Sequence, residues 1–375
     1  MTQRLLENIP SEDLKNLISE YSANKIFLVT GKTSYVRSGA KEFIEASLGD
    51  YEYVRFSDFE ENPKYEDAIR GTKIFIDSGC DLIVAIGGGS AMDTAKLISA
   101  FAANTEVDGL NIVKGLEHIS KKGSPLIAIP TTAGTGSETT HFAVVYHQKK
   151  KYSVASEHIF PEAAVLNSAL TMSQPKYLTA CSGLDALSQA TESFWSVNST
   201  NESQQDAKEA ISLLLKGLVQ AVNAPDEKSR EMVMKGAYLA GKAINVSKTT
   251  AAHAVSYAFT TFYSIPHGHA VFLTLPEFLE YNYGVSQDDL NDSRGSEYVK
   301  KAIENLFDLF GVESASEGKD YLKKLASSIG IELSLEKLGI SNYEDKIVGN
   351  VNMERLGNNP RKISKDGLLT LLRSK

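Results

Sequence analysis

Cysteine is nearly missing from the 375 residues: only Cys80 and Cys181 occur, each inside an apolar stretch. They read as two buried thiols in a reducing compartment rather than a disulfide framework, and neither is given a chemical role. Proline is scarce at 10 residues, and no low-complexity tract or internal repeat breaks a composition of 42% hydrophobic and 23% charged residues. That balance excludes a disordered or fibrous chain and fits one that buries a large core. Positive charge is in short supply: 39 Lys and Arg stand against 47 Asp and Glu, a formal net charge of −8, and the one dense basic run, Lys149 to Lys151, is three residues long. Such a chain offers no broad basic face to a polyanionic backbone, so nucleic acid is not expected as a partner. Long hydrophobic runs are also missing. The start, MTQRLLENIPSEDLKNL, is amphipathic and acidic, and no later segment approaches bilayer length, so a cytoplasmic protein without a membrane partner is expected.

What is present is length enough for two domains. Residues 25–30 (KIFLVT), 51–56, 81–86 (DLIVAI) and 125–130 (PLIAIP) are short β-rich apolar runs, and the stretches between the first three read as helices. This alternation predicts a parallel sheet covered on both faces, with ligands gathering at the carboxyl ends of its strands. The amino-terminal half is therefore a candidate nucleotide domain. After Glu138 come the extended pieces FAVVYH, KYSVAS and AAVLN, and from about Gln174 onward almost everything reads as helix. Segments 176–195, 204–223, 228–246, 251–262, 296–310 and 318–328 carry apolar residues at helical spacing, broken by turns such as NAPDE and SIPHG. The two halves join near residues 167–174.

In the first half, DLIVAIGGGSAMDTAK places Gly87, Gly88, Gly89 and Ser90 between a strand and a helix beginning near Ala91. Backbone amides and a helix dipole there would hold a pyrophosphate; the plainer alternative is a tight turn that needs positive φ. The common dinucleotide fingerprint is not matched, because Met92 stands where its third glycine would fall, and GKTS at 31–34 is no P-loop, because Ile26 stands where the first glycine would be. A second loop, TTAGTGSETT, follows the strand LIAIP, and Thr131, Thr132, Thr135 and Ser137 are placed to hydrogen-bond phosphate or a nicotinamide amide. Hydroxyl clusters are commonly just loop chemistry. Two such loops on adjacent strand ends make a stronger pattern.

In the second half, GLDALSQATES puts Asp185 and Gln189 on one helix face, with Glu192 three residues further along. Downstream lie His253 and, around a Pro-His-Gly turn, His267 and His269. A carboxylate and two imidazoles, with an amide oxygen as a fourth donor, suit Fe(II) or Zn(II), and a metal with an open position polarises a carbonyl during hydride transfer. The plainer alternative has these histidines capping helices or satisfying buried carbonyls.

Taken together, GGGSAMDTAK, PTTAGTGSE, the GLDALSQA helix and HAVSYAFTTFYSIPHGHA, in this order over nearly the whole chain, resemble the iron-containing alcohol dehydrogenase family. The resemblance implies a Rossmann-like α/β dinucleotide-binding domain over 1–170 and an all-α metal-binding domain over 171–375, the dehydroquinate synthase-like fold, with catalysis in the cleft between them. It implies an oxidoreductase for a small aldehyde or alcohol, using NAD(H) or NADP(H) and a divalent metal, Fe2+ before Zn2+, and assembling as a homodimer or larger oligomer. The family's metal pattern is an aspartate, a histidine four residues later, and two histidines fourteen apart. Asp185, His253 and His267 match it, whereas Gln189 falls where the family usually has histidine. Glutamine is a poorer donor to Fe(II) or Zn(II). Tyr257 replaces a histidine that many members carry, and its phenol joins His267 as a catalytic candidate. Gly87, Gly88, Gly89, Ser90 and Asp93 are implied on the pyrophosphate side, Thr131, Thr132, Thr135 and Ser137 on the nicotinamide side, and Asn62 in an NP turn near the adenosine end.

Three stretches, residues 192–203, 247–260 and 355–364, resemble the branch that interconverts phosphonoacetaldehyde and 2-hydroxyethylphosphonate more than the butanol, lactaldehyde or glycerol branches. An anionic substrate needs cationic or hydroxyl partners, and Lys149 to Tyr152, Ser247, Lys248 and Arg361 are available. Where the family often has an aspartate after the first strand, this sequence has Thr30, Gly31 and Lys32, which removes repulsion against a 2′-phosphate and predicts that NADPH is accepted. The alternatives are a butanol-type dehydrogenase, a dehydroquinate-synthase-like lyase with no net NADPH consumption, and a dinucleotide-binding protein whose metal site decayed through Gln189. In the last case, replacing Gln189 with His raises metal content.

Overall fold

The computed structural model describes residues 2–148, 150–351 and 353–373. It divides into two compact units, Met1–Gln174 and Pro175–Lys375.

The first unit is built on strands β1 (Arg4–Glu7), β2 (Lys25–Thr30), β3 (Glu52–Phe56), β4 (Leu82–Gly87), β5 (Leu126–Pro130) and β8 (Ala163–Leu166), all parallel, in the order β1-β8-β5-β4-β2-β3. Strands β6 (Phe142–His147) and β7 (Lys150–Ala155) form a separate antiparallel hairpin. Helices α1 (Ser11–Glu20), α2 (Ser34–Arg37), α3 (Ala40–Leu48), α4 (Tyr65–Ser78), α5 (Gly89–Ala103) and α6 (Gly109–Val113) supply the remaining elements. The apolar runs are near-continuous because both faces of the sheet are covered. Ile26, Leu28, Val84, Ile86, Ile127 and Ile129 face Leu14, Leu17 and Ile18 of α1 and Ile44 of α3, while Phe27, Val29, Ile83, Ala85 and Ala128 face Phe75 of α4 and Met92, Ala95 and Ile98 of α5. The hairpin lies against the other side of α5, where Leu97 and Phe101 meet Ala143, Val145 and Val154. The amphipathic, acidic start resolves into the edge strand β1 followed by α1.

The strand order reverses between β2 and β4: the chain runs outward from β2 to β3, returns to β4 on the other side of β2, and continues to β5. In open α/β sheets, ligands bind outside the carboxyl ends of strands at such a switch point. Here those ends are Thr30–Lys32 and Gly87–Gly89.

The second unit is helical: α7 (Lys176–Trp195), α8 (Asn201–Asn223), α9 (Glu227–Ser247), α10 (Ala251–Tyr263), α11 (His267–Phe272), α12 (Leu275–Tyr283), α13 (Ser296–Phe310), α14 (Ala315–Ser328), α15 (Tyr343–Lys346) and α16 (Lys365–Arg373). Capping boxes start two of them, with Thr200 and Ser203 opening α8 and Asp226 and Ser229 opening α9. Helix α7 is buried along nearly its whole length from Thr179, packed by α8, α9 and α11. Its polar residues satisfy themselves locally, as Ser188 and Thr191 donate to the carbonyls of Leu184 and Leu187 at 2.6 and 2.7 Å. A helix enclosed from Thr179 onward that still carries Asp185, Gln189 and Glu192 has invested its buried polar positions in something other than packing. No helix among the described residues is long and apolar enough to cross a membrane.

Candidate functional site

Asp185 on α7, His253 on α10 and His267 at the start of α11 bring one ligand atom each within 4.8 Å of one another. Asp185 Oδ1 lies 3.3 Å from His253 Nε2 and 3.9 Å from His267 Nε2. Both rings are held from behind. His253 Nδ1 meets Glu192 Oε2, and since a carboxylate only accepts, Nδ1 carries a proton; a cation in the cluster would take the place of a proton on Nε2. Ser256 Oγ donates to the His253 carbonyl at 2.7 Å, so its contact of 3.4 Å with His267 Nδ1 is one in which the ring donates, while His267 Nε2 faces Asp185.

Glu192 is fully buried. Its second oxygen accepts from Thr250 Oγ1 at 2.8 Å and from the amides of Ala252 and His253 at 2.9 and 3.3 Å, capping the start of α10. Burial alone would lower His253, yet Glu192 and Asp185 outweigh it and push the ring up to about 9. A buried place that favours positive charge this strongly, with three N and O donors converging, fits a divalent cation of the Fe(II) or Zn(II) kind.

Close packing makes the convergence possible. A Cβ on Gly268 would lie 1.9 Å from the Cys181 carbonyl oxygen and 2.8 Å from Asp185 Cβ. Only glycine lets α11 settle so near α7 and carry His267 over Asp185. His269, two residues on, is used otherwise: Nδ1 contacts the Tyr177 hydroxyl at 2.9 Å and Nε2 donates to the Glu332 carbonyl at 2.6 Å. The Tyr257 ring stacks on His267 with centroids 5.8 Å apart and planes 6° apart. Gln189 is buried one turn beyond Asp185. Glu192 is the residue that sequence reasoning left without a role; its position seven residues after Asp185, on the same helix face, was the available signal.

In the first unit the two loops do meet. Strands β4 and β5 are paired, and the Thr131 amide donates to the Gly87 carbonyl at 2.8 Å. A Cβ on Gly89 would lie 2.9 Å from Thr135, one on Gly87 2.8 Å from Ala91 Cβ and 3.5 Å from the Gly31 amide nitrogen, and one on Gly88 3.4 Å from Thr132. Gly87 and Gly89 are explained by this close approach and not by the turn alternative, for Gly88 is extended at φ −80° and ψ −177° and neither neighbour has positive φ. Asn62, at φ 59°, donates its amide to Ser90 Oγ at 3.2 Å, bringing the NP turn to the start of α5. Lys32 points to Asp58, with which it forms an exposed ion pair at 3.2 Å.

Asp93 and Ser137 are engaged with each other. Ser137 Oγ donates to Asp93 Oδ1 at 2.6 Å, the Val144 amide donates to Asp93 Oδ2 at 3.0 Å, and the fully buried Lys96 donates to Ser137 Oγ, Thr140 Oγ1 and the Phe142 carbonyl at 3.0, 3.2 and 2.9 Å. This network ties α5 to the threonine loop from beneath. Burial drags Lys96 down to about 8 and lifts the neighbouring Glu138 to about 7. Of the residues named for an anionic substrate, Arg361 is committed to Asp289 at 2.6 Å and to the Tyr281 carbonyl at 2.7 Å, and Lys149 lies outside the described residues.

One carboxylate and two imidazoles, each ring backed by a second hydrogen bond, make a candidate metal centre and fit the metal-dependent class of protein. Comparison with known proteins carries that class to a family. The chain belongs to the iron-containing alcohol dehydrogenase family of oxidoreductases: the model described as iron-containing alcohol dehydrogenase matches residues 6–168, and that described as Fe-containing alcohol dehydrogenase family, C-terminal, matches 179–375. A phosphonoacetaldehyde reductase of Streptomyces viridochromogenes is 32% identical over 307 residues, covering 78% of this chain and 75% of the relative. A 1,3-propanediol dehydrogenase of Citrobacter freundii is 30% identical, covering 90% and 88%. Among solved structures, the sulfoacetaldehyde reductase from Bifidobacterium kashiwanohense in complex with NAD+ superimposes with a TM-score of 0.87 at 30% identity, covering 99% of this chain and 96% of that one.

Proposed function

We propose that this chain reduces a small anionic aldehyde, phosphonoacetaldehyde to 2-hydroxyethylphosphonate, with a reduced nicotinamide dinucleotide. In this reaction hydride passes from the nicotinamide to the carbonyl carbon and a proton goes to the oxygen. The observation that carries the reading is the cluster of Asp185, His253 and His267 with both Nε2 atoms directed to it. Two of the relatives, reductases of phosphonoacetaldehyde and of sulfoacetaldehyde, act on a two-carbon aldehyde with a tetrahedral oxyanion, which supports the substrate class.

A divalent cation held by Asp185, His253 and His267 supplies Lewis acidity at the carbonyl oxygen. Gln189 is the weak fourth donor in this reading. Glu192 and Ser256 hold the ring tautomers, and Tyr257, stacked on His267, is the phenol that delivers the proton to the product oxygen. The first unit binds the dinucleotide: Gly87, Gly88, Gly89 and Ser90 take the pyrophosphate, Asn62 braces Ser90, and Thr131, Thr132 and Thr135 take the nicotinamide end. Asp93 and Ser137 support that loop through their mutual hydrogen bond. NADPH is accepted beside NADH, because Gly31 brings no carboxylate to the end of β2.

The test is oxidation of NADPH and NADH by protein loaded anaerobically with Fe(II) or Zn(II), with phosphonoacetaldehyde, sulfoacetaldehyde and butyraldehyde as substrates. Preference for the anionic aldehydes is expected. Equal or better turnover of butyraldehyde sinks the anionic substrate and leaves the short-chain alcohol reading; no turnover with either metal leaves only dinucleotide binding.

A further inference from the structure

The three stretches that resemble the phosphonoacetaldehyde branch converge on one loop of the helical unit. Residues 248–250 connect α9 to α10. From the first stretch, Trp195 Nε1 donates to Thr250 Oγ1 at 2.9 Å and Ser196 Oγ to the Ser247 carbonyl at 2.6 Å. From the third, Asn358 Nδ2 donates to the Thr249 carbonyl at 3.2 Å. The first and third are joined in turn, through the Val197 amide to the Asn358 carbonyl at 3.1 Å and Asn198 Nδ2 to Asn358 Oδ1 at 3.0 Å.

At the start of this clamped loop stands Lys248, at φ 59° and ψ 169°. That conformation is nearly reserved for glycine, and a lysine there is held against its backbone preference by its surroundings. Its side chain is exposed, and among the described residues no carboxylate pairs with it. The loop ends at Thr250, whose hydroxyl donates to Glu192, the acid that holds His253. A strained backbone that carries an exposed ammonium is thus tied to the same hydrogen-bonded frame as the His253 ring. Strain of this kind persists only where the surrounding structure over-determines the backbone, and it clusters at ligand sites.

We propose that Lys248 binds the oxyanion of the substrate, phosphonate or sulfonate, and so selects anionic over neutral aldehydes. The inference rests on the reductase function above and adds the residue that sets its specificity. An ammonium suits a tetrahedral oxyanion as a compact point charge with three donors.

The experiment compares kcat/KM for phosphonoacetaldehyde, sulfoacetaldehyde and butyraldehyde in the metal-loaded full chain and in Lys248→Met, Lys248→Arg and Lys248→Gly. Lys248→Met is expected to lower the ratio of anionic to neutral kcat/KM by roughly 10- to 100-fold, chiefly through KM, with partial recovery in Lys248→Arg. Lys248→Gly relieves the backbone and raises the melting temperature, yet loses the anion preference as Met does. Whichever of the two anions falls further identifies the oxyanion. A purely structural role predicts instead that all three aldehydes fall together, which overturns the proposal, as does an anion preference that survives in Lys248→Met. Wild-type enzyme without any anion preference overturns the substrate reading itself, and Lys248 with it.

Discussion

Glu192 receives the Nδ1 proton of His253 on one carboxylate oxygen and, on the other, the Thr250 hydroxyl and two amides at the start of the same helix. One buried acid therefore holds a ring of the candidate metal cluster and sets the place where α10 begins. Outer partners of this kind are worth roughly 10- to 100-fold in metal affinity. Glu192→Gln, which keeps the size and removes the charge, is expected to weaken Fe(II) or Zn(II) binding by about that factor while the helical content holds. Chelator competition measures the affinity and circular dichroism the fold; an unchanged affinity would refute the role given to Glu192.

Gly268 carries the approach of α11 to α7. An alanine there must displace the Cys181 carbonyl or Asp185, because its Cβ would stand 1.9 Å from the first. Gly268→Ala is expected to cost about 1–3 kcal/mol of stability, and to release the metal because His267 moves away from Asp185. Differential scanning calorimetry and metal analysis of the purified variant check both; retention of full metal content would contradict the packing account.

Glu138 supplies a pH dependence in the first unit. Burial lifts its carboxyl from 4.5 to about 7, so between these values the unfolded chain loses its proton while the folded chain keeps it. This group therefore contributes stability at low pH that is lost as pH rises through that window. Glu138→Gln removes the contribution. Urea unfolding across pH 4.5 to 7 should show the variant gaining on the wild type as pH rises; a constant difference between the two proteins contradicts the lifted titration.

Much of the architecture was legible because burial writes it into short windows. KIFLVT, DLIVAI and PLIAIP became β2, β4 and β5 since strands covered on both faces keep few polar positions, and the six helical segments of the second half appear within a few residues of their expected limits. The edge strand β1 was not legible. Its four residues, RLLE, have no inward pattern of their own and are strand only because β8 lies beside them. The metal cluster was half legible: the spacing of Asp185, Gln189 and Glu192 on one face follows from the helix repeat alone.

By itself, then, the amino-acid order determined the strands, the helices, the glycine and threonine loops and which polar residues share a face, since each depends on neighbours a few positions away. Only the tertiary structure bonded His269 to Tyr177 and to the Glu332 carbonyl, gave Glu192 its place behind His253, turned Ser137 toward Asp93, and gathered three separate stretches around Lys248. His253 lies 68 residues from Asp185 along the chain. No local periodicity reaches that far; the contact exists because Glu192 of the buried α7 holds the start of α10 and a glycine admits α11 against α7.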